Sequence, residues 1–201
     1  MAKLDLTKAY KKYFTATPTP HVTEVEKGLY LTITGQGNPD GEQFAAAVAA
    51  LYSVAYGIKF DNKAKGKDFV VSKLEGFWWV DATGIDPLQV PRDLWHYELA
   101  IMLPDDISQA QFRQAVEKAM AKKKSPLVNQ VQLKQMEEGL CVQVLHEGPF
   151  SEEPRTLKKL HGYIEQEGYA FNGRHHEIYL SDFRRTAPEK QRTILRHPVR
   201  K

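Results

Sequence analysis

Residues 28–57 read GLYLTITGQGNPDGEQFAAAVAALYSVAYG, and residues 139–168 read GLCVQVLHEGPFSEEPRTLKKLHGYIEQEG. Each passage opens as a strand, turns on glycine and proline, and continues at helical spacing. In the first, Leu29, Leu31 and Ile33 alternate with Tyr30, Thr32 and Thr34. That is the period-two mark of a half-buried strand, placed over 22–35. GQGNPDG breaks it. Asp40 with Gln43 resembles a capping box, and Phe44, Val48, Leu51 and Ala55 form an apolar stripe. Gly57 is expected to close this helix, with a charged loop over 58–68. In the second passage a strand over 140–146 leads to Ser151, read as a helix cap. Leu157, Leu160, His161 and Ile164 then face inward as far as Gly168.

The flanking segments complete an α+β pattern. Strands are expected at 69–74, 77–80 and 96–103, with a Gly/Pro/Asp loop over 81–93. Ser108 and Gln111 make a capping box for a helix carrying Phe112, Ala115, Val116, Ala119 and Met120. Lys122–Lys124 suit its C-terminus, and Pro126 stops it. Residues 131–136 and 140–146 read as a hairpin around EEG, and 175–181 as a last short strand. Such an order predicts an antiparallel sheet with helices on one face. The lysine-rich, then Thr/Pro-rich start reads as an N-terminal arm over 1–20, followed by one domain over 21–201.

Composition excludes several classes. Among 201 residues, 42% are apolar and 26% charged, which is globular rather than disordered or fibrous. The single cysteine, Cys141, removes disulfide frameworks and multi-cysteine zinc sites. The start lacks the apolar centre of a secretory signal, and no apolar run reaches about 20 residues; a cytoplasmic protein is the expectation. The net charge of +3 is uneven: residues 184–201 hold seven Lys/Arg and one acid, Glu189. This basic end reads as a solvated tail, and nucleic-acid binding through it is disfavoured. There is no Walker loop, dinucleotide fingerprint or nucleophile elbow. His175-His176 lacks an acidic partner at ligand spacing, so no metal or cofactor is expected. Cys141, between Leu140 and Val142, reads as a buried structural thiol.

The segment HHEIYLS (175–181) carries the chemistry. Side chains alternate along a strand. If the aliphatic pair Ile178 and Leu180 points to the helices, Glu177, Tyr179 and His175 share the opposite face. Trp78 and Trp79 are adjacent, so one ring faces each side of its strand. Tyr52, Tyr56 and Tyr97 come from neighbouring elements. A carboxylate among Trp and Tyr rings suits a flat, apolar or cationic ligand.

LYSVAYGIK (51–59), LEGFWW (74–79), GLCVQVLHEGPFSEEP (139–154) and HHEIYLSDFRRTAPEKQRTILRHPV (175–199) resemble the stand-alone GyrI-like small-molecule-binding proteins of bacteria. EIYLSD-x-RR-x-x-PEK is the most specific part. The resemblance implies two strand-helix-strand-strand repeats about a pseudo-twofold axis, at about 21–104 and 125–201, joined by a linker helix at 108–123. It also implies a ligand cleft between the halves, on the sheet side away from the helices. The same domain serves AraC-type and multidrug-sensing regulators, where a strand glutamate in an aromatic cleft meets cationic drugs. Glu177 takes that place, with Tyr52, Tyr56 and Trp78; Tyr179 belongs to the same motif, and Trp79 and Tyr97 are added from the residue pattern. Some stand-alone members are cyclopropanoid cyclopropyl hydrolases, which detoxify DNA-alkylating compounds. On that reading Glu177 is the catalytic base. The alternative class is a non-catalytic protein that sequesters a macromolecule, as gyrase-inhibiting relatives do.

Overall fold

The computed structural model describes residues 3–81, 89–123 and 125–201. Two compact units are present. The first holds the described residues of Met1–Ala9, Gly28–Ser72 and Gly76–Met136. The second holds Tyr10–Lys27, Lys73–Glu75 and Glu137–Lys201. The architecture is α+β, as the sequence pattern required.

In chain order the described elements are β1 (Leu4–Asp5), α1 (Leu6–Ala9), β2 (His21–Val25), β3 (Gly28–Gln36), α2 (Glu42–Ala64), β4 (Phe69–Val70), β5 (Leu74–Trp79), β6 (His96–Leu103), α3 (Gln109–Lys123), β7 (Gln132–Met136), β8 (Gly139–Glu147), α4 (Glu153–Gln166), β9 (Ala170–Phe171), β10 (His175–Tyr179) and β11 (Arg192–Arg200). In the first unit the strand order is β5-β6-β3-β7, and β3 runs antiparallel to both β6 and β7. In the second it is β2-β8-β11-β10, antiparallel at each of these pairings, with β9 also on β11.

The segment expected as one strand over 22–35 is two strands, β2 and β3, in different units. Nor is β3 half-buried: Tyr30 and Thr32 are as buried as Leu31 and Ile33. Helix α2 does not stop at Gly57 but runs on to Ala64, through most of the expected loop. Gly57 serves packing instead. A Cβ there would lie 3.3 Å from the Ala115 methyl of α3, so the bare backbone lets two helices approach. The Asp40 cap is replaced by Gly41, which makes no side-chain cap bond. Ser108 and Gln111 do form the expected box, Gln111 accepting from the Ser108 amide at 2.9 Å. Ser151 caps nothing; it sits in a 3-10 turn before α4.

By length and composition α2 would suffice to cross a membrane. Here Leu51, Val54 and Ile58 are buried in the first unit, where α2 packs on β3, β6 and α3. The expected β7–β8 hairpin is absent, since β7 pairs with β3 and β8 with β2 and β11. The loop expected over 81–93 lies mostly outside the described residues, as does Lys124.

The largest departure is at the C-terminus. The expected solvated tail contains β11, an inner strand between β8 and β10. Ile194, Leu195 and Val199 supply its apolar side chains, and Arg196 is fully buried. Net charge hid a strand whose aliphatic residues are spaced between arginines.

Gly57→Val should push α2 and α3 apart. The expected loss is about 1–3 kcal/mol, the usual range for overpacking, read by urea unfolding.

Candidate functional site

In the second unit α4 covers one face of the sheet. Leu160 and Ile164 pack on Val142 and Val144 of β8 and on Leu195 and Val199 of β11. Glu177 pairs with Leu195, and Tyr179 with Thr193. Cross-strand partners point to one side, so Glu177 and Tyr179 lie on the α4 face. His161 of α4 stacks edge-on against His197, 5.3 Å away, on that same side. Alternation along β10 therefore holds, but its sides are the reverse of the expectation. Ile178 does not point to the helix. It pairs with Ile194, and His176 with Arg196, on the opposite face.

That opposite face is neither open nor apolar. The imidazole of His176 is fully buried, with Nε2 3.0 Å from Glu75 and Nδ1 2.9 Å from Glu138. Carboxylate oxygens accept, so both ring nitrogens donate and the ring is positive. The Tyr13 hydroxyl also donates to Glu75. Arg196 donates to the Gln143 side chain at 2.8 Å and to the Tyr13 carbonyl at 2.7 Å. Its guanidinium lies 4.4 Å from the centre of the Tyr13 ring. Two cations thus face two anions with no net charge. Burial alone pushes the His176 pKa down, but Glu138 and then Glu75 outweigh it and raise the value. Glu138 moves the other way: burial raises it, and His176 and Arg196 bring it below the ordinary range.

Glu177 occupies a different setting, with its side chain 13% exposed. Tyr179 donates to one carboxylate oxygen at 2.8 Å, and His175 Nε2 lies 3.1 Å from the other. Aromatic rings flank both donors. Phe150 and Phe183 pack edge-on against Tyr179 at 5.9 and 5.6 Å. His197 lies 4.9 Å from His175 and also touches Phe171. Glu177 is neither loose in solvent nor tied to arginine 196, which is spent on the other face.

The remaining candidates lie in the first unit. Trp78 stacks on Phe44 at 5.7 Å and meets Trp95 and Tyr97 edge-on. Tyr97 is only 1% exposed. Its ring crosses Gly35, where any Cβ would collide with it, so it supports Trp78 from behind. Trp79 stacks on His96 at 5.3 Å. Tyr52, Tyr56 and Phe60 form a ladder one helical turn apart, spaced 6.1 and 6.0 Å. Tyr56 and Phe60 are 44% and 58% exposed. Cys141 is buried as expected, and burial pushes its thiol pKa up.

Sequence reasoning missed Tyr13, Glu75, Glu138, His175 as a donor, and Arg196. A usable signal existed: His176 shares a strand face with Ile178, and Arg196 with Ile194, so a charge recurs in phase with aliphatic residues.

The model of the GyrI-like small molecule binding domain matches residues 18–200. The chain belongs to this family. A conserved protein of Listeria innocua, described as uncharacterized, is 40% identical with a TM-score of 0.91; the match covers 98% of this chain and all of that one. A Listeria innocua protein described as a hydrolase is 39% identical, TM-score 0.86, over the same shares. The C-terminal domain of EcmrR shares the fold at 12% identity and TM-score 0.58, over 91% of this chain and 98% of that one. No curated protein matches the chain. Small-molecule binding is thus the family property this GyrI-like chain carries.

Replacing His176 by leucine leaves two buried carboxylates without their shared cation. A loss of about 3–5 kcal/mol is expected, measured by chemical denaturation. The pH dependence has two limbs. The His176 contribution is complete below its ordinary value of 6.5 and fades as pH rises through the raised folded value. That of Glu138 is complete above its ordinary 4.5 and fades as pH falls through the lowered one. Stability should therefore peak between those two values, and the alkaline limb should vanish in His176→Leu.

Proposed function

We propose that this GyrI-like protein binds a small aromatic or cationic molecule through Glu177, in the cytoplasm. The observation that carries the reading is the setting of that carboxylate: mostly buried, held by the Tyr179 hydroxyl and His175 at 2.8 and 3.1 Å, and walled by rings. Aromatic faces supply dispersion and attract cations. Tyr52, Tyr56, Trp78 and Trp79 are the ring surfaces that the first unit by itself offers to an aromatic molecule. Tyr97 acts through Trp78, on which it packs.

A second reading, hydrolysis of a cyclopropane-bearing alkylator, is favoured by the 39%-identical Listeria protein described as a hydrolase. Glu177 takes a proton from water as its oxygen bonds to the ring methylene. The cyclopropane C–C bond breaks, and its electron pair passes into the conjugated ring to give a phenolate. That phenolate then recovers the proton. Tyr179 donates its hydroxyl proton to Glu177 and so holds the base in position.

Glu177→Gln keeps the shape of the side chain and removes its charge. Calorimetry with tetraphenylphosphonium, a permanent lipophilic cation, should show binding to the wild type and a loss of roughly 10-fold or more in the variant. Equal affinities would remove Glu177 from the site. For hydrolysis, the alkylator is incubated in H2(18)O and followed by mass spectrometry. A hydrolase yields the 18O-labelled alcohol faster than Glu177→Gln; equal slow rates leave binding alone.

A further inference from the structure

The His175 ring has one engaged nitrogen and one idle one. Nε2 lies 3.1 Å from Glu177 Oε1, while Nδ1 is buried without a hydrogen-bond partner. An imidazolium would leave a charged N–H buried with no acceptor at Nδ1, which is costly. A neutral ring carrying its proton on Nε2 satisfies the contact and leaves only a lone pair idle. Its surroundings agree. His197 lies 4.9 Å away and is itself flanked by His161 and Phe171 at 5.3 and 5.0 Å. Its Nδ1 is also buried and unpartnered. Burial, then His175, His161 and His176, depress the His197 pKa to about 2. A ring stacked on a neutral imidazole is held by packing, not by a second hydrogen bond.

We infer that His175 is a positioning residue for ligand recognition: its neutral Nε2–H fixes the Glu177 carboxylate in direction without cancelling its charge. The inference rests on the assignment of Glu177 to the ligand site. It adds the reason a cation is preferred. A lysine or arginine at position 175 would hold the carboxylate equally well but neutralise it against the ligand. Tyr179 performs the matching task on the other oxygen, so both donors are uncharged and the negative charge is left for the bound molecule.

The test compares His175→Leu, which removes the donor, with His175→Gln, which restores an N–H at similar reach and does not titrate. Calorimetry reads affinity for tetraphenylphosphonium and for neutral triphenylphosphine oxide. Removing a donor to a charged group should weaken the cation roughly 10- to 100-fold and leave the neutral compound nearly unchanged. His175→Gln should recover most of the cation affinity. Equal loss for both compounds in His175→Leu, or no recovery with glutamine, would overturn the inference, since either marks a packing role. If Glu177→Gln abolishes the preference for the cation and His175→Leu does not, only the role of His175 falls. If Glu177→Gln has no effect, or the wild type takes up neither compound, the assignment of Glu177 falls. A long-range 15N spectrum of the histidines in the free wild type then decides by itself. The neutral Nε2–H tautomer at pH 7.5 upholds the donor; an imidazolium or an Nδ1–H ring refutes it.

Discussion

The imidazolium of His176, clamped between Glu75 and Glu138, organises the second unit. An isolated charge in that place would be prohibitively expensive, so each group requires the others. The clamp gathers segments remote in sequence. Tyr13 comes from the N-terminal stretch, Glu75 from the start of β5, Glu138 from just before β8, and Arg196 from the last strand. The N-terminal stretch is thereby fastened to the sheet. Leu145 donates its backbone N–H to the Thr17 carbonyl at 2.7 Å, and the Gln143 amide donates to Thr15 at 3.0 Å. Residues 10–20 form one wall of the unit.

Strand geometry sets this structural charge directly behind Glu177. His176 and Glu177 are sequence neighbours, so their side chains leave opposite faces. One face carries a neutralised network closed to solvent. The other carries the Glu177 carboxylate, held by Tyr179 and His175. Arg196 is confined to the first face by Gln143 and the Tyr13 carbonyl. An arginine of β11 that reached Glu177 would have quenched it. The clamp thus keeps a cation away from Glu177, the carboxylate proposed to meet the ligand.

Much of this was legible from periodicity. The existence of β3 and β6 as strands, the Ser108–Gln111 cap and the buried Cys141 followed from local pattern. So did the shared face of His175, Glu177 and Tyr179. Errors arose where a residue type has two uses. Gly57 looked like a helix terminator but is a packing point against Ala115. Ile178 looked like the helix-facing side, yet the face away from α4 is also covered, so aliphatic character could not identify the side. The arginines near the C-terminus looked like a solvated tail, because composition does not show that Arg196 has buried partners.

The sequence by itself determined the α+β class, the family, and which side chains of 175–179 travel together, because these follow from local spacing and from motifs contiguous in the chain. Only the tertiary structure decided which way that set faces, what fills the reverse side, and which groups hold Glu177. Those outcomes depend on cross-strand register and on a charge cluster drawn from residues 13, 75, 138, 176 and 196. A local window of sequence can show that a charge is in phase with buried residues, but not which remote groups it pairs with.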